Sequence, residues 1–308
     1  MRHSPYRQAA FLILFWLVLS ISPGVAQRVV QGRIQTVGDG AAVSYALVTD
    51  PQHRFGTYAG VDGRFTARIP AGVDTLLVSC VGFHDTTALL ADLTGDIQLL
   101  MRPKATQLAE VTVRRRGKKA KVATLGALRR RVSFVWGNCS GRNIEYALLL
   151  RNARGQTGYL QKVSYFIDKE GAPTAPFRVR VYANVDNEPG PDLLPRSVIA
   201  SARRGNSWVE IDLTQFGIRL PREGVFVAME WLATQDQKFY FSKGFKMPDG
   251  QNNALECYGQ YLGFAKEIRS PLVWERVNGG FWRRHNSAFS RVGGGEHPII
   301  QAKMVVGN

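Results

Sequence analysis

The stretch Gly60-Val61-Asp62-Gly63-Arg64-Phe65, followed by Leu76-Leu77-Val78-Ser79-Cys80-Val81-Gly82-Phe83, decides the fold of the first part of this chain. An Asp-Gly pair tolerates the positive φ angles of a tight hairpin turn, and the second stretch is a strand pattern. Further short apolar runs, none with a helical period, lie at 29–34, 42–48, 63–69 and 97–101. Such runs, separated by Gly, Asp and Pro, predict an antiparallel β-sandwich of about 75 residues.

The rest of the chain repeats this pattern on a larger scale. Strand patterns are present at 158–167, 177–182, 208–213, 225–232, 239–241, 272–277 and 299–306. They predict a second, jelly-roll-like β-sandwich. We therefore expect an all-β protein with a first sandwich at 27–103, a linking segment at 104–131 and a larger sandwich at 132–308.

Several motifs of the first region occur together in one known family. Val30-Gln31-Gly32-Arg33-Ile34, the 46–48 strand, the 60–65 turn and Gly82-Phe83 resemble the carboxypeptidase regulatory-like domain. The resemblance implies a transthyretin-like, Ig-like sandwich without a peptidase centre. Leu108-Ala109-Glu110-Val111-Thr112-Val113 is similar to the segment after this domain in TonB-dependent receptors, and the whole resembles exported proteins of Bacteroidetes. The segments 176–182, 188–190 and 208–213 resemble C-terminal modules of those proteins, for which no activity is implied.

The first 26 residues differ from the rest in composition. Arg2 and Arg7 precede an apolar run at 9–21, and Gly24 and Ala26 place small residues at the −3 and −1 positions of a cleavage site. The apolar core is shorter than the ~20 residues of a membrane-spanning helix. We expect a cleaved signal peptide at 1–26, a mature chain starting at Gln27, no transmembrane segment after cleavage, and a periplasmic, outer-membrane-associated or extracellular location.

The net charge of +16 is concentrated in one segment. Residues 102–131 carry eleven Lys and Arg against one Glu, whereas 27–101 sum to −2 and 132–308 to +6. Blocks of like charge usually stay solvated, so 104–131 is interpreted first as a basic linker. Its alternative is a contact with an anionic surface of the envelope; nucleic acid is not an expected partner.

Three cysteines are too few for a disulfide-rich scaffold. Cys80 is predicted to be a buried strand residue, and the sequence leaves open whether Cys139 and Cys257 pair.

No HExxH, CxxC or nucleophile-turn motif is present, so we expect no catalytic residue, no cofactor-binding residue and no metal ligand. The Asp- and Asn-rich loops 184–192 and 248–253 offer oxygen ligands for Ca²⁺, although turn chemistry explains the same residues.

One strand carries a possible ligand-binding face. Alternation over 208–213 places Trp208, Glu210 and Asp212 on one side, with the two carboxylates about 7 Å apart. The favoured interpretation is that Arg178 and Arg180, if their strand is a neighbour, form cross-strand ion pairs with these carboxylates on a solvated face. A carbohydrate-contacting face and acid–base catalysis are the alternatives.

A second aromatic pair flanks Asn278-Gly279-Gly280, the strongest hairpin signal of the second region. Alternation places Trp274 and Trp282 close together across this turn. Packed, they stabilise the hairpin; exposed, they form a platform for a sugar ring.

These observations together predict an exported, non-catalytic cell-envelope protein that acts as a binding or assembly module. Its expected partner is an envelope protein or a polysaccharide. The alternative is a polysaccharide-processing hydrolase, or a glycan-binding protein, that uses the C-terminal domain.

Overall fold

The computed structural model describes residues 28–93, 95, 97–105, 121–126, 131–152, 154–246, 250–267, 271–285 and 295–306. The predicted signal peptide and most of the basic segment, including 106–120, lie outside these residues. Within them the fold is all-β, as predicted, and the only helices are three short 3₁₀ turns at Leu90–Asp92, Thr214–Phe216 and Gln237–Phe239. No helix in this described part has the length and apolar character needed to cross a membrane.

The first sandwich consists of seven strands in two sheets. They are β1 (Arg28–Thr36), β2 (Leu47–Thr49), β3 (Gly56–Tyr58), β4 (Arg64–Ile69), β5 (Thr75–Ser79), β6 (Thr86–Leu89) and β7 (Ile97–Met101). One sheet has the order β4-β1-β7 and the other β3-β2-β5-β6. The expectation of a purely antiparallel sandwich is wrong at one position: β7 runs parallel to β1, because the chain enters β7 by crossing over from the other sheet.

The Asp-Gly turn is present, but it does not close a hairpin. Gly63 has a φ of 78°, and its N–H donates to the carbonyl oxygen of Gly60 at 3.0 Å. The turn connects β3 to β4, which lie in different sheets. It therefore moves the chain from one layer to the other, so that Phe65 and Ile69 of β4 face the core between them.

The second sandwich consists of sixteen described strands. They are β8 (Val122–Gly126), β9 (Phe134–Asn138), β10 (Ile144–Leu150), β11 (Gly158–Gly171), β12 (Phe177–Val185), β13 (Glu188–Asp192), β14 (Val198–Ala200), β15 (Ser207–Asp212), β16 (Arg219–Leu220), β17 (Val225–Trp231), β18 (Tyr240–Lys246), β19 (Asn252–Glu267), β20 (Val273–Val277), β21 (Arg283–Arg284), β22 (Gly295–Pro298) and β23 (Ile300–Val306).

These strands form two packed sheets. The seven-stranded sheet has the path β13-β12-β17-β10-β20-β21, and β14 also pairs with β12. The nine-stranded sheet has the path β18-β19-β11-β23-β8; β15 and β16 also pair with β11, and β9 and β22 also pair with β19. Alternate residues of β11, β12 and β17 fill the core between the sheets. Strand β8 pairs with β23, so part of the segment expected to be a linker belongs to the second sandwich.

A disulfide joins Cys139 and Cys257, the pair that the sequence left open. Strand β9 ends beside β19, with Asn138 opposite Tyr258, which brings the two cysteines together across a sequence separation of 118 residues. Cys80 is a free thiol, half-buried against the first core, and burial raises its pKa.

Candidate functional site

The face of β12 that carries arginines is buried. Phe177, Val179 and Val181 point into the core, and Arg178 and Arg180 lie on the opposite face, as alternation predicts. The expectation of a solvated face is wrong, because the first sandwich covers this surface. Arg178 is only 2% exposed.

Four charged residues form one row across the seven-stranded sheet. Arg178 on β12 is opposite Glu230 on β17, which is opposite Glu145 on β10, which is opposite Arg276 on β20. Arg178 Nη1 lies 3.1 Å from Glu230 Oε2, and Arg276 Nε lies 2.6 Å from Glu145 Oε2. The register thus pairs each carboxylate with a guanidinium, which is how a sheet accommodates charge.

The next residues along β12 complete this network. Arg180 Nε lies 2.8 Å from Asp192 Oδ2, and its Nη1 lies 3.3 Å from Glu230. The Tyr182 hydroxyl donates to Glu145 Oε1 at 2.7 Å, and the Tyr58 hydroxyl donates to Glu230. We call these residues the charged row; it balances three guanidinium groups (Arg178, Arg180, Arg276) against three carboxylates (Glu145, Asp192, Glu230).

The charged row joins the two sandwiches. Tyr58 belongs to β3 of the first sandwich, and Arg178 Nη2 donates across the boundary to the carbonyl oxygen of Tyr45 at 2.6 Å. Beside these polar contacts, Leu47 and Tyr58 pack against Leu232 in a small apolar cluster. Polar and apolar contacts therefore both hold the first sandwich on this face.

The hairpin turn after β20 makes a second contact with the first sandwich. Asn278 and Gly279 take φ angles of 53° and 70°, which fits the predicted turn. His53 Nδ1 is 2.9 Å from the backbone oxygen of Asn278, and Asn278 Nδ2 donates to the backbone oxygen of His53 at 3.3 Å. The turn thus acts as a docking element between the domains.

The electrostatics of the charged row keep Glu230 ionised. Burial by itself would raise the pKa of this carboxyl, but the charges of Arg178, Arg180 and Arg276 and the hydrogen bond from Tyr58 lower it to about 2. A carboxylate with so low a pKa cannot serve as a proton donor near neutral pH. The lowered pKa of Glu230 therefore favours a structural role for this carboxylate over a role as general acid.

A cleft of about 520 Å³ opens beside the charged row at the domain boundary. Its walls include Leu47, Cys80 and Gly82 from one side and Arg180 and Asp192 from the other. The arginines and carboxylates at this wall already contact one another. The cleft therefore offers a polar surface on which four cations (Lys104, Arg178, Arg180, Arg276) face three carboxylates (Asp85, Asp192, Glu230).

The predicted face on β15 lies elsewhere. β15 pairs with β11 in the nine-stranded sheet, whereas β12 lies in the other sheet, so the expected ion pairs of Arg178 and Arg180 with Glu210 and Asp212 do not form. That prediction is wrong because sequence alternation fixes the face of a strand but not its neighbour.

Glu210 instead contacts two lysines of neighbouring strands. Lys303 Nζ lies 2.8 Å and Lys162 Nζ 3.4 Å from its carboxylate oxygens, and the hydrogen bond from Lys303 lowers its pKa. Asp212 accepts a hydrogen bond from the Thr214 N–H at 2.8 Å, and its pKa is lowered too by hydrogen bonds from Thr214. Trp208 is half-buried beside them. Its ring packs edge-on against Phe166, with ring centroids 5.7 Å apart.

Trp274 and Trp282 lie on the outer face of the seven-stranded sheet, and both are half-buried. They pack on a small apolar cluster formed by Ala147, Leu149, Tyr182, Phe226 and Ala228. The Trp274 Nε1–H donates to the backbone oxygen of Asn187 at 3.0 Å, and the guanidinium of Arg276 lies 4.6 Å from the centre of the Trp282 ring. Arg276 covers one face of this indole, which favours packing over an open sugar platform.

Of the two loops that could supply Ca²⁺ ligands, the structure describes 184–192 completely and 248–253 only in part. In 184–192, Asp186 and Asn187 take positive φ angles in the turn between β12 and β13, and Asn184 Oδ1 accepts from the Asn187 N–H at 3.0 Å. The described residues contain no group of three or more His, Cys, Asp or Glu side chains able to hold a metal ion. Residues 248–249 of the other loop, 248–253, lie outside the described part, and Ca²⁺ binding stays a prediction.

Sequence reasoning missed Glu145 and Glu230 as members of the site. Each is a single carboxylate inside an otherwise apolar strand, Ile144–Leu150 and Val225–Trp231. Since buried charges are almost always paired, such a residue is a signal that a cation lies opposite.

The comparison with protein families concerns the first sandwich and the segment after it. Residues 30–113 match the family model of the CarboxypepD_reg-like domain. This match supports the resemblance drawn from the sequence and extends through the 108–113 segment. No curated protein matches the chain.

Two similar solved structures are those of infectious bursal disease virus, from the Gt and Gx strains. Their chains are 11% and 10% identical to this one, with TM-scores of 0.20 and 0.19. The matches cover 92% of this chain and only 61% and 62% of theirs. Likeness this low carries no argument about fold or function.

Proposed function

We propose that this protein is an exported, non-catalytic module of the cell envelope that binds or assembles with an envelope protein or polysaccharide. The charged row carries the proposal. Its six charged groups all belong to the second sandwich and are paired with one another. Arg178 and Glu230 also contact Tyr45 and Tyr58 of the first sandwich, and these contacts hold the two domains together. The CarboxypepD_reg-like domain itself suggests a non-catalytic β-sandwich module.

Export is supported by two independent features. The pattern of Arg2, Arg7 and the apolar run before Ala26 is typical of a secretory signal peptide. The disulfide between Cys139 and Cys257 is typical of oxidising compartments such as the periplasm. The resemblance to exported proteins of Bacteroidetes agrees with both.

The state of Glu210 and Asp212 disfavours these two carboxylates as the catalytic pair of a hydrolase. Glycoside hydrolysis by a carboxylate pair requires one acid with a raised pKa. Glu210 and Asp212 both have lowered pKa values, because hydrogen bonds stabilise their ionised forms. Lowered pKa values do not oppose a glycan-binding role without catalysis.

The experiment has one arm for location and one for chemistry. Envelope fractionation followed by intact-mass measurement should find a chain that begins at Gln27. Exported material that retains residues 1–26 would overturn the signal-peptide interpretation, and a cytoplasmic chain would overturn export. A hydrolase screen on the purified protein should detect no cleavage; cleavage lost in Glu210→Gln would establish the alternative.

A further inference from the structure

A second groove lies at the domain junction, apart from the charged row. Its main part has a volume of about 640 Å³ and is lined by Gln31, Thr66 and Arg68 of the first sandwich and by Arg142 and Gln235 of the second. A depression of about 430 Å³ shares Gln31, Thr66 and Gln235 with it. We call the combined feature the arginine groove.

The floor of the arginine groove is the outer face of the β4-β1-β7 sheet. Because side chains alternate along β4, Phe65 and Ala67 enter the core and Arg64, Thr66 and Arg68 point outward. Across the sheet, Arg64 is opposite Arg33, which is opposite Gln98. This register aligns polar and cationic side chains on one surface.

The second sandwich supplies the wall of the groove. Gln235 Nε2 donates to the backbone oxygen of Thr66 at 2.9 Å, which holds the segment before Gln237 against the floor. At the other end, the Asn138 amide donates to the backbone oxygen of Arg142 at 2.8 Å, and Asn138 is itself buried. The groove is therefore built by both domains and depends on their docking.

The charged side chains that line the arginine groove are all cationic. Five arginines line it (Arg33, Arg54, Arg64, Arg68, Arg142), and no Asp or Glu is among its described lining residues. Two of these arginines have carboxylate partners that do not line the groove. Arg54 Nε lies 2.5 Å from Asp50 Oδ2, and Arg64 Nε lies 3.5 Å from Asp62 Oδ2 on the exposed surface. Among the described residues, no ion pair involves Arg68 or Arg142, and both side chains are exposed.

We propose that the arginine groove binds a carboxylated polysaccharide. Guanidinium groups bind carboxylates in a bidentate manner, and the amides of Gln31, Gln98 and Gln235 can pair with sugar hydroxyls as donors and acceptors. The two depressions are adjacent, since they share Gln31, Thr66 and Gln235, and two adjacent basic depressions suit a polymer better than a single small anion. This inference deepens the binding role proposed above and rests on export for access to such polymers.

Two other polyanions fit the groove less well. Single-stranded nucleic acid is usually held by aromatic rings on which bases stack. The lining aromatics are Phe65, buried in the core, and Phe55, which packs against that core. An anionic bilayer presents a flat surface, whereas these arginines line a concave one.

The test compares two double variants of the full-length exported protein. Arg68→Gln with Arg142→Gln removes two groove cations. Arg203→Gln with Arg204→Gln removes the same charge from exposed positions outside the groove. Binding to polygalacturonate and alginate, with neutral dextran as the control polymer, is measured at several salt concentrations.

We expect salt-sensitive binding to both acidic polymers, and affinity about tenfold or more weaker in the groove variant than in the surface variant. Melting temperatures of the two variants should match the wild type, so the loss does not reflect unfolding. Equal affinity in both variants would place the binding site outside the groove and overturn the proposal. So would absence of binding, equal binding to dextran, or stronger binding to single-stranded DNA or anionic vesicles. None of these results bears on export or on the lack of hydrolysis, which the fractionation and the screen test separately.

Discussion

Arg178, on a central strand of the second sandwich, donates from Nη2 to the backbone oxygen of Tyr45 in the first sandwich, 2.6 Å away. The same guanidinium contacts Glu230 through Nη1. One side chain thus connects the sheet of one domain to the backbone of the other. Because a buried charge that loses its partner is costly, this relationship makes domain docking sensitive to single substitutions.

Glu230→Gln should strongly destabilise the protein. It removes a carboxylate that Arg178 and Arg180 both contact and leaves these buried cations with less compensation. We expect a loss of about 3–5 kcal/mol in the free energy of unfolding, measured with urea. Glu210→Gln is the matched control, since Glu210 and its two lysine partners are partly exposed to solvent and such surface pairs contribute ~0–1 kcal/mol. Similar losses in the two variants would contradict the role assigned to the charged row.

Acid should weaken the contact between the sandwiches. The pKa of Glu230 is lowered in the folded state to about 2 from an ordinary value of 4.5, so its stabilising contribution is present above pH 4.5. That contribution is lost as the pH falls from 4.5 towards 2. Unfolding free energies measured across this range should decline more steeply in the wild type than in Glu230→Gln. Parallel curves would show that Glu230 does not account for the acid sensitivity.

Cleavage within 106–120 should not separate the domains at neutral pH. Sequence alone leads to the expectation that proteolysis in the basic segment releases two folded pieces. The contacts of Tyr58 with Glu230 and of Arg178 with Tyr45 predict that the pieces stay together. A protease site introduced into this segment, followed by gel filtration after cutting, checks this expectation. Two separate peaks from the cut chain at neutral pH would contradict it.

Trp282→Ala should lower the melting temperature without affecting polysaccharide binding. The indole is half-buried against Tyr182 and Arg276, so we expect a loss of about 1–3 kcal/mol, less than for a fully buried tryptophan. Phe281→Ala is the control, because the neighbouring ring is 90% exposed. Unchanged melting with lost retention on polysaccharide would instead favour a sugar platform.

Thiol counting should confirm the disulfide. Under denaturing conditions without reductant, only Cys80 should react with an alkylating reagent, and all three cysteines should react after reduction. Replacing Cys139 and Cys257 by serine should cost about 2–5 kcal/mol, because the bond closes a long loop. Three reactive thiols in the unreduced exported protein would show that the bond is not formed.

The sequence by itself determined which face of each strand is apolar. Alternation in 177–182 separated Phe177 and Val179 from Arg178 and Arg180, and the structure keeps that division. Asn278 and Gly279 likewise determined the position of a turn, because only a few residue types adopt positive φ angles readily. These properties are local and depend on a few consecutive residues.

Only the tertiary structure decided which strands are neighbours and which surfaces are covered. Nothing in the spacing of 177–182 and 208–213 indicates that they belong to different sheets, so Glu210 pairs with lysines and Arg178 with Glu230. Strand pairing depends on contacts between residues far apart in the chain, and side-chain alternation is the same whichever strand lies alongside. For the same physical reason, the burial of the charged row and the assembly of the arginine groove from both domains become visible only when the first sandwich is docked on the second.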